Sequence, residues 1–353
     1  MSDAADTQKS LDIPEIVAQI LSTIDQEREK EIITRRFGLY DRKETLEQIG
    51  ELLGITRERV RQLEKSILIR LKIAAEEGRI PAIGTTEKQF VRTLAELGRA
   101  ARVSELSSHF PQTGTTPELQ QAHIAFVAEL APHLSTVSEN DNYHQAVAIA
   151  DYGNEKEIKA RVDELVKIIR KHGEPLTVHQ LDEMLNYEHP SQIRAIASIS
   201  KKLAHLKDNW GLAKWPTVNP KNIRDKIYVI LADAAKPLHF SEIAEAIKDS
   251  SFKRKNVTTQ AIHNELIKDK RFVLIGRGIY ALDSWGFSKG TVADIITDVL
   301  KQATEPLHRD EIVKRVLKSR QVKETTILLN LQSKPQFKRV AKATYSLEES
   351  VGA

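Results

Sequence analysis

Apolar residues recur at helical spacing along most of the chain, and its first 80 residues show the pattern in four successive runs. Ile16, Val17, Ile20 and Leu21 share one face of a helix that Pro14 opens in its first turn and that extends to Ile24. A second helix is expected over 26–37, stopped by Gly38. Thr45 then stands as an N-cap before a short helix whose apolar face is Leu46, Ile49, Leu52 and Leu53. Gly54 breaks that helix, and Thr56 caps a longer one reaching about residue 75. Its core face is Val60, Leu63, Ile67, Leu68 and Leu71, at spacings of three and four.

Two helices joined by a tight Gly-containing turn make a helix-turn-helix pattern. On the second helix Arg57, Arg61 and Lys65 form an i,i+4 row opposite the core face, with Glu58 and Gln62 beside it. Residues 57–72 hold six basic and two acidic side chains. The whole chain, with 53 Lys+Arg against 49 Asp+Glu, is only +4, so nucleic-acid binding would rest on such local patches. Base-reading residue types gather near the N-terminus of this helix, the end that enters the major groove in such motifs. Spacing alone fits equally a surface helix of a bundle whose charges are merely solvated.

The stretch EREKEIITRRFGLYDRKETLEQIGELLGITRERVRQLEKSILIRLK closely resembles region four of housekeeping sigma factors, over roughly residues 14–75. The resemblance implies that Arg57, Glu58, Arg61 and Gln62 touch bases of a −35-like promoter element in double-stranded DNA. It further implies that Arg28, Arg36, Thr45, Leu46 and Lys65 lie near DNA phosphates. Bacterial RNA polymerase is the implied partner, its beta flap docking on the helices before Gly38. Only about 25 residues precede the match, and none is Trp, Phe or Tyr. The expectation is therefore a factor that does not open promoters unaided.

Beyond a linker expected at 78–86, marked by Gly78, Pro81 and Gly84-Thr85-Thr86, the sequence repeats loosely. GRAARVSEL (98–106), GEPLTVHQL (173–181), AKPLHFSEI (235–243) and TEPLHRDEI (304–312) each follow an amphipathic helix and open another. The third copy is clearest. Helices are expected over 222–234 and 241–247, with a third from a Thr258 or Thr259 cap to Lys268; strands follow at 271–275 and 279–282, around Gly276-Arg277-Gly278. Three helices and a hairpin make a winged helix. The expected fold is thus mainly α: a helix-turn-helix (11–77), then tandem winged-helix modules with small β-hairpin wings at 87–150, 157–216, 221–286 and 290–348. KPLHFSEIAEAI with RFVLIGRGIYALDSWG resembles the HARE-type winged helix of the RNA polymerase delta subunit and of some chromatin and restriction proteins. Lys253, Arg254, Lys255 and Arg277 are candidate secondary nucleic-acid contacts. Trp210, Trp215 and Trp285, at wing ends, are expected to pack across module boundaries.

Catalysis finds no support. The chain has no cysteine, which removes disulfides and thiolate metal sites and suits a reducing interior. His239 and His263 have no carboxylate at useful spacing, and there is no P-loop or nucleophile elbow. No metal, cofactor or small-molecule substrate is expected. Nor is a membrane span, for no stretch approaches the roughly 18 apolar residues required. The reading is a cytoplasmic, nucleoid-associated, sigma-like transcription regulator. An RNA polymerase accessory subunit resembling delta, or the DNA-targeting subunit of a nuclease or restriction system, are the alternatives.

Overall fold

The computed structural model describes residues 11–348 except 113, 186, 253–255, 288, 304 and 321. Two compact units divide it, one ending at Lys214 and the other beginning at Trp215.

The first unit opens with four helices: α1 (Ile13–Ser22), α2 (Glu27–Phe37), α3 (Leu46–Leu53) and α4 (Arg57–Glu76). Most of their ends are where the sequence puts them, although α1 stops at Ser22, short of Ile24. Asp12 caps α1, the left-handed Gly38 and Gly54 end α2 and α3, and Thr56 caps α4. Leu52 departs from expectation. It lies at the margin of an eight-residue helix whose partners take up Ile49, with Leu46 and Leu53 partly buried beside it, and it stays 54% exposed.

No linker follows. Helix α5 (Pro81–Leu97) begins with Pro81 in its first turn. The Thr85 and Thr86 hydroxyls donate back to the carbonyls of Pro81 and Ala82, at 3.3 and 2.7 Å. Ile80, Ile83, Phe90 and Leu94 are buried. Burial of this stripe overrides the local turn preference of Gly84-Thr85-Thr86. Strand β1 (Ala100–Arg102), α6 (Val103–Ser108), α7 (Pro117–Leu130), β2 (Leu134–Val137) and β3 (Ala146–Ile149) complete a winged helix. The second copy repeats the order as α8 (Glu155–His172), β4 (Leu176–Thr177), α9 (Val178–Leu185), α10 (Pro190–Ile199), β5 (Leu203–Leu206) and β6 (Asn209–Leu212).

The second unit holds two more copies. One is α11 (Ile223–Ala234), β7 (Leu238–His239), α12 (Phe240–Asp249), α13 (Thr259–Lys268), β8 (Phe272–Leu274) and β9 (Ile279–Leu282). The other is α14 (Val292–Gln302), β10 (Leu307–His308), α15 (Arg309–Ser319), α16 (Glu324–Ser333), β11 (Phe337–Ala341) and β12 (Thr344–Leu347). In all four copies the sheet is antiparallel with its last strand in the centre. Trp285 departs from expectation. It packs with Val273, Ile275 and Ala281 on the wing of its own copy.

The third helix of each copy ends at the same distance from its wing, so α7 (from 121), α10, α13 and α16 align without gaps. Ile124, Ile193, Ile262 and Ile327 then coincide, and each is fully buried in the core. In the first two copies a second face is apolar as well. Phe126, Val127 and Leu130 of α7 are buried, as are Ala195, Ile196 and Ile199 of α10. The matching residues of α13 and α16 are Asn264, Glu265 and Lys268, and Leu329, Asn330 and Ser333.

That second face docks each early copy onto what precedes it. Helix α7 packs on α1, α2 and α4, in one core running from Ile13 to Val147. The Phe37 and Phe126 rings lie 4.9 Å apart. Buried His123 donates from Nε2 to the Leu39 carbonyl at 2.7 Å, and Lys72 meets Glu129 at 2.7 Å. Helix α10 lies on β1 and α5. There Gly98, at φ +104°, lets the two backbones approach so closely that a Cβ would overlap the Ser191 carbonyl. Tyr143 donates to Asp163 at 2.7 Å, and Lys201 pairs with Glu139 at 2.8 Å.

Two outcomes follow from this packing. Gly98→Ala meets both a left-handed backbone and an overlap, and should destabilise the first unit by at least about 2 kcal/mol in denaturant titration. Gly84→Ala, in a helix with open space at its Cβ, should instead stabilise it by up to about 1 kcal/mol. The second outcome concerns pH. Burial pulls the His123 pKa below its ordinary 6.5, against a smaller raising effect of the Leu39 carbonyl, and Nδ1 has no partner for a second proton. The unfolded chain therefore binds a proton near pH 6.5 that the folded chain refuses. Stability should fall as pH drops below about 6.5, by at most ~1.4 kcal/mol per pH unit from this group, until the lower folded pKa is reached. His144, also lowered by burial first, adds to the same fall. Urea midpoints at pH 7.5 and 5.5 should differ less in His123→Gln, which keeps a donor but does not titrate.

Candidate nucleic-acid interface

The helix-turn-helix stands on three local devices. Thr45 and Gln48 form a capping box: Thr45 Oγ1 accepts from the Gln48 amide at 3.3 Å, while Gln48 Oε1 accepts from the Thr45 amide at 2.9 Å. Gly50 is buried where the chain doubles back, and a Cβ there would stand 2.7 Å from the Ile55 carbonyl oxygen. Thr56 Oγ1 accepts from the Arg59 amide at 3.2 Å and starts α4. Ile32, Ile49 and Val60 close the small core that holds the two helices together.

Helix α4 divides along its length. Its N-terminal half presents Arg57, Glu58, Arg59, Arg61, Gln62 and Lys65 to solvent. Arg61 grips Glu58 with two charge-assisted bonds, Nε at 2.8 Å and Nη2 at 2.6 Å. That bond is the main reason the Glu58 carboxyl sits below its ordinary pKa and the Arg61 guanidinium above its own. Gln62 Nε2 reaches the same carboxylate at 3.5 Å. Glu58 thus orients Arg61 and Gln62 on one exposed face. The C-terminal half pairs its charge within the chain: Arg70 with Glu29, and Lys72 with Glu129.

The four residues expected to read bases are brought together. Those expected near phosphates are more dispersed in role. Lys65 is exposed on the same helix. Arg28 donates to the Leu53 carbonyl at 2.8 Å, satisfying the C-terminus of α3. Arg36 donates to Glu64 at 3.0 Å. Thr45 is occupied by its capping box, and the Leu46 side chain packs against the Ile49 core; what α3 offers an anion there is the free amides of its first turn. Arg59 was not singled out by sequence, although it shares the exposed first turn of α4. Its Nη1 touches Gln62 Oε1 only at 3.5 Å.

Among the secondary candidates, Arg277 is exposed at the β8–β9 turn, while Lys253, Arg254 and Lys255 lie outside the described residues. The helices before Gly38, where the resemblance puts the beta flap, bury their apolar residues in this chain's own core with α5 and α7. Among the described residues no cluster of three or more metal-ligating side chains occurs, and no helix is long and apolar enough to cross a membrane.

Comparison with known proteins bears on this segment. Residues 26–72 match the family model "Sigma-70, region 4". The RNA polymerase sigma factor RpoD of Helicobacter pylori is 50% identical over 70 residues, 19% of this chain and 10% of that protein. The RNA polymerase sigma factor sigB of Arabidopsis thaliana is 54% identical over 46 residues, 13% of this chain and 8% of that protein. SigA of a Bacillus species is 39% identical over 69 residues, 19% and 18% of the two chains. This chain thus spans less than a fifth of the length of these relatives. The segment that carries α3, its turn and the exposed half of α4 is a sigma-70 region 4 domain.

Proposed function

We propose that this protein is a DNA-binding, sigma-factor-like transcription regulator without catalytic activity, which places α4 in the major groove of a −35-like promoter element. The observation that carries the reading is the exposed set Arg57, Glu58, Arg61 and Gln62, with Glu58 bonded to Arg61 and Gln62, on the N-terminal half of a region 4 recognition helix. Arg makes bidentate contacts to guanine, Gln to adenine, and Glu accepts from cytosine. Lys65 on that helix and Arg28, Arg36, Thr45 and Leu46 beside it are the phosphate-side residues, and bacterial RNA polymerase is the partner. Docking on the beta flap through α1 and α2 would require α7 to yield its place. We read the winged copies as HARE-type modules and the protein as cytoplasmic and nucleoid-associated.

A second reading, an accessory subunit of the polymerase, is favoured by one feature. The third helices of the first two copies, α7 and α10, are buried against preceding elements and are not free to enter a DNA groove. Tagged protein purified after nuclease digestion separates the readings. Retention of polymerase with no sequence preference in vitro would support the accessory role.

For the main reading, Arg61→Ala or Gln62→Ala should weaken binding to the selected site by about 1–3 kcal/mol and flatten preference at one position. Titration against the selected duplex and a scrambled one checks this. Equal weakening on both would reduce the residue to a phosphate contact.

A further inference from the structure

The fourth copy carries a surface that none of the other three has. Between Glu324, the first residue of α16, and Glu348, past the end of the wing, the chain has four basic residues, Lys334, Lys338, Arg339 and Lys342, and no acidic one. All four are exposed. None forms an ion pair with a carboxylate among the described residues, and Arg339 donates only to the nearby Ala341 carbonyl, at 3.3 Å. After Phe337, every residue of β11 is exposed. The β11–β12 register shifts between Arg339 and Ala341, a bulge that bends the hairpin and turns its edge outward. On the adjoining helix the open face presents Thr325, Thr326, Gln332 and Ser333, hydroxyl and amide groups that donate to phosphate oxygens.

The corresponding surfaces of the other copies carry carboxylates. The first wing turn, 138–145, holds two acidic residues and no Lys or Arg, and Glu139 in it pairs with Lys201 of the second copy. In the second, Lys207 is followed by Asp208, which pairs with Arg194 at 3.6 Å. In the third, Arg271 is held by Asp269 and Asp225, at 2.7 and 3.2 Å, and the exposed Lys268, Lys270 and Arg277 share their stretch with Glu265 and Asp269.

We propose that the β11–β12 wing, with the open face of α16, is a second nucleic-acid site that grips the phosphate backbone of duplex DNA without reading sequence. Three uncompensated charges on one rigid hairpin suit a polyanion with regularly spaced phosphates, where each neutralised phosphate releases condensed counterions. Bases are not discriminated, because the surface lacks the paired Arg, Gln and Glu geometry of α4. Leu329 and Val340, 65% and 49% exposed, lie on the same helix and strand and can rest against the sugars.

The test uses the full chain and a fluorescent random-sequence duplex, with affinity measured between 50 and 200 mM salt. Lys338→Ala/Arg339→Ala/Lys342→Ala should lower the slope of log affinity against log salt by about 2–3, near 0.9 per lost phosphate contact. The charge-preserving Lys338→Arg/Arg339→Lys/Lys342→Arg should keep the wild-type slope, and an unchanged melting midpoint excludes misfolding of the wing. Preference for a selected site over a random one should not change in the triple-alanine variant. This separates failure here from failure of the α4 reading, which would remove that preference in the wild type. An unaltered slope overturns the proposal, as does an equal drop in Lys314→Ala/Lys318→Ala on α15, which would reduce the effect to bulk charge. Loss of polymerase from nuclease-treated complexes with the slope intact would make the surface a protein contact and overturn it too.

Discussion

The first unit depends on the seating of α7 against the helix-turn-helix domain. Phe126 and Val127 bring apolar area, His123 gives the Leu39 carbonyl its donor, and Lys72 meets Glu129 at the rim. A backbone carbonyl buried without a partner costs about 1–3 kcal/mol, so the bond fixes where the α2–α3 connection lies as well as adding stability. Without α7, the apolar faces of α1 and α5 would have water where they now have a core. Four helices that form a self-contained module in outline are here one part of a larger hydrophobic interior.

The same element is used in two ways along the chain. A third helix with a second apolar face is consumed by docking, as in α7 and α10; one whose second face is mostly polar, as in α13 and α16, stays open. The choice rests on three aligned positions, Phe126, Val127 and Leu130 against Asn264, Glu265 and Lys268. Repetition of a fold thus does not imply repetition of a role. Copies of nearly identical topology become spacers or exposed surfaces according to a few residues that leave the internal core untouched.

Much of this was legible in the residues. Helix caps at Thr45 and Thr56, a cap at Thr258 or its neighbour Thr259, the stops at Gly38 and Gly54, and the helix-to-wing order of the third copy all depend on local chemistry, and local chemistry is written in order along the chain. The exposed Arg57–Gln62 face was equally readable from its spacing. What sequence order hides is the neighbour. The linker expected at 78–86 is a buried helix start because Ile80 and Ile83 find a core whose other residues lie far away in the sequence. Arg28 and Arg36, expected near phosphates, also bond the Leu53 carbonyl and Glu64, partners 25 and 28 positions distant. The double-faced run HIAFVAEL in α7 was the available clue, since a helix apolar on two sides must have two partners.

The backbone approach at Gly98 bears on how such a protein can be altered. Alignment marks 26–72 as the recognisable piece, and an engineer seeking a new DNA preference would be tempted to exchange that piece alone. Its rear surface, however, is moulded to α5 and α7, and α5 ends at Gly98 in a fit with Ser191 that tolerates no side chain. The workable cassette is therefore narrower and wider than the homology. The outward half of α4 can be rewritten in place, since it touches little but itself; a whole-domain graft must carry every position facing α7 from the recipient, or bring the donor's partner for that face along with it.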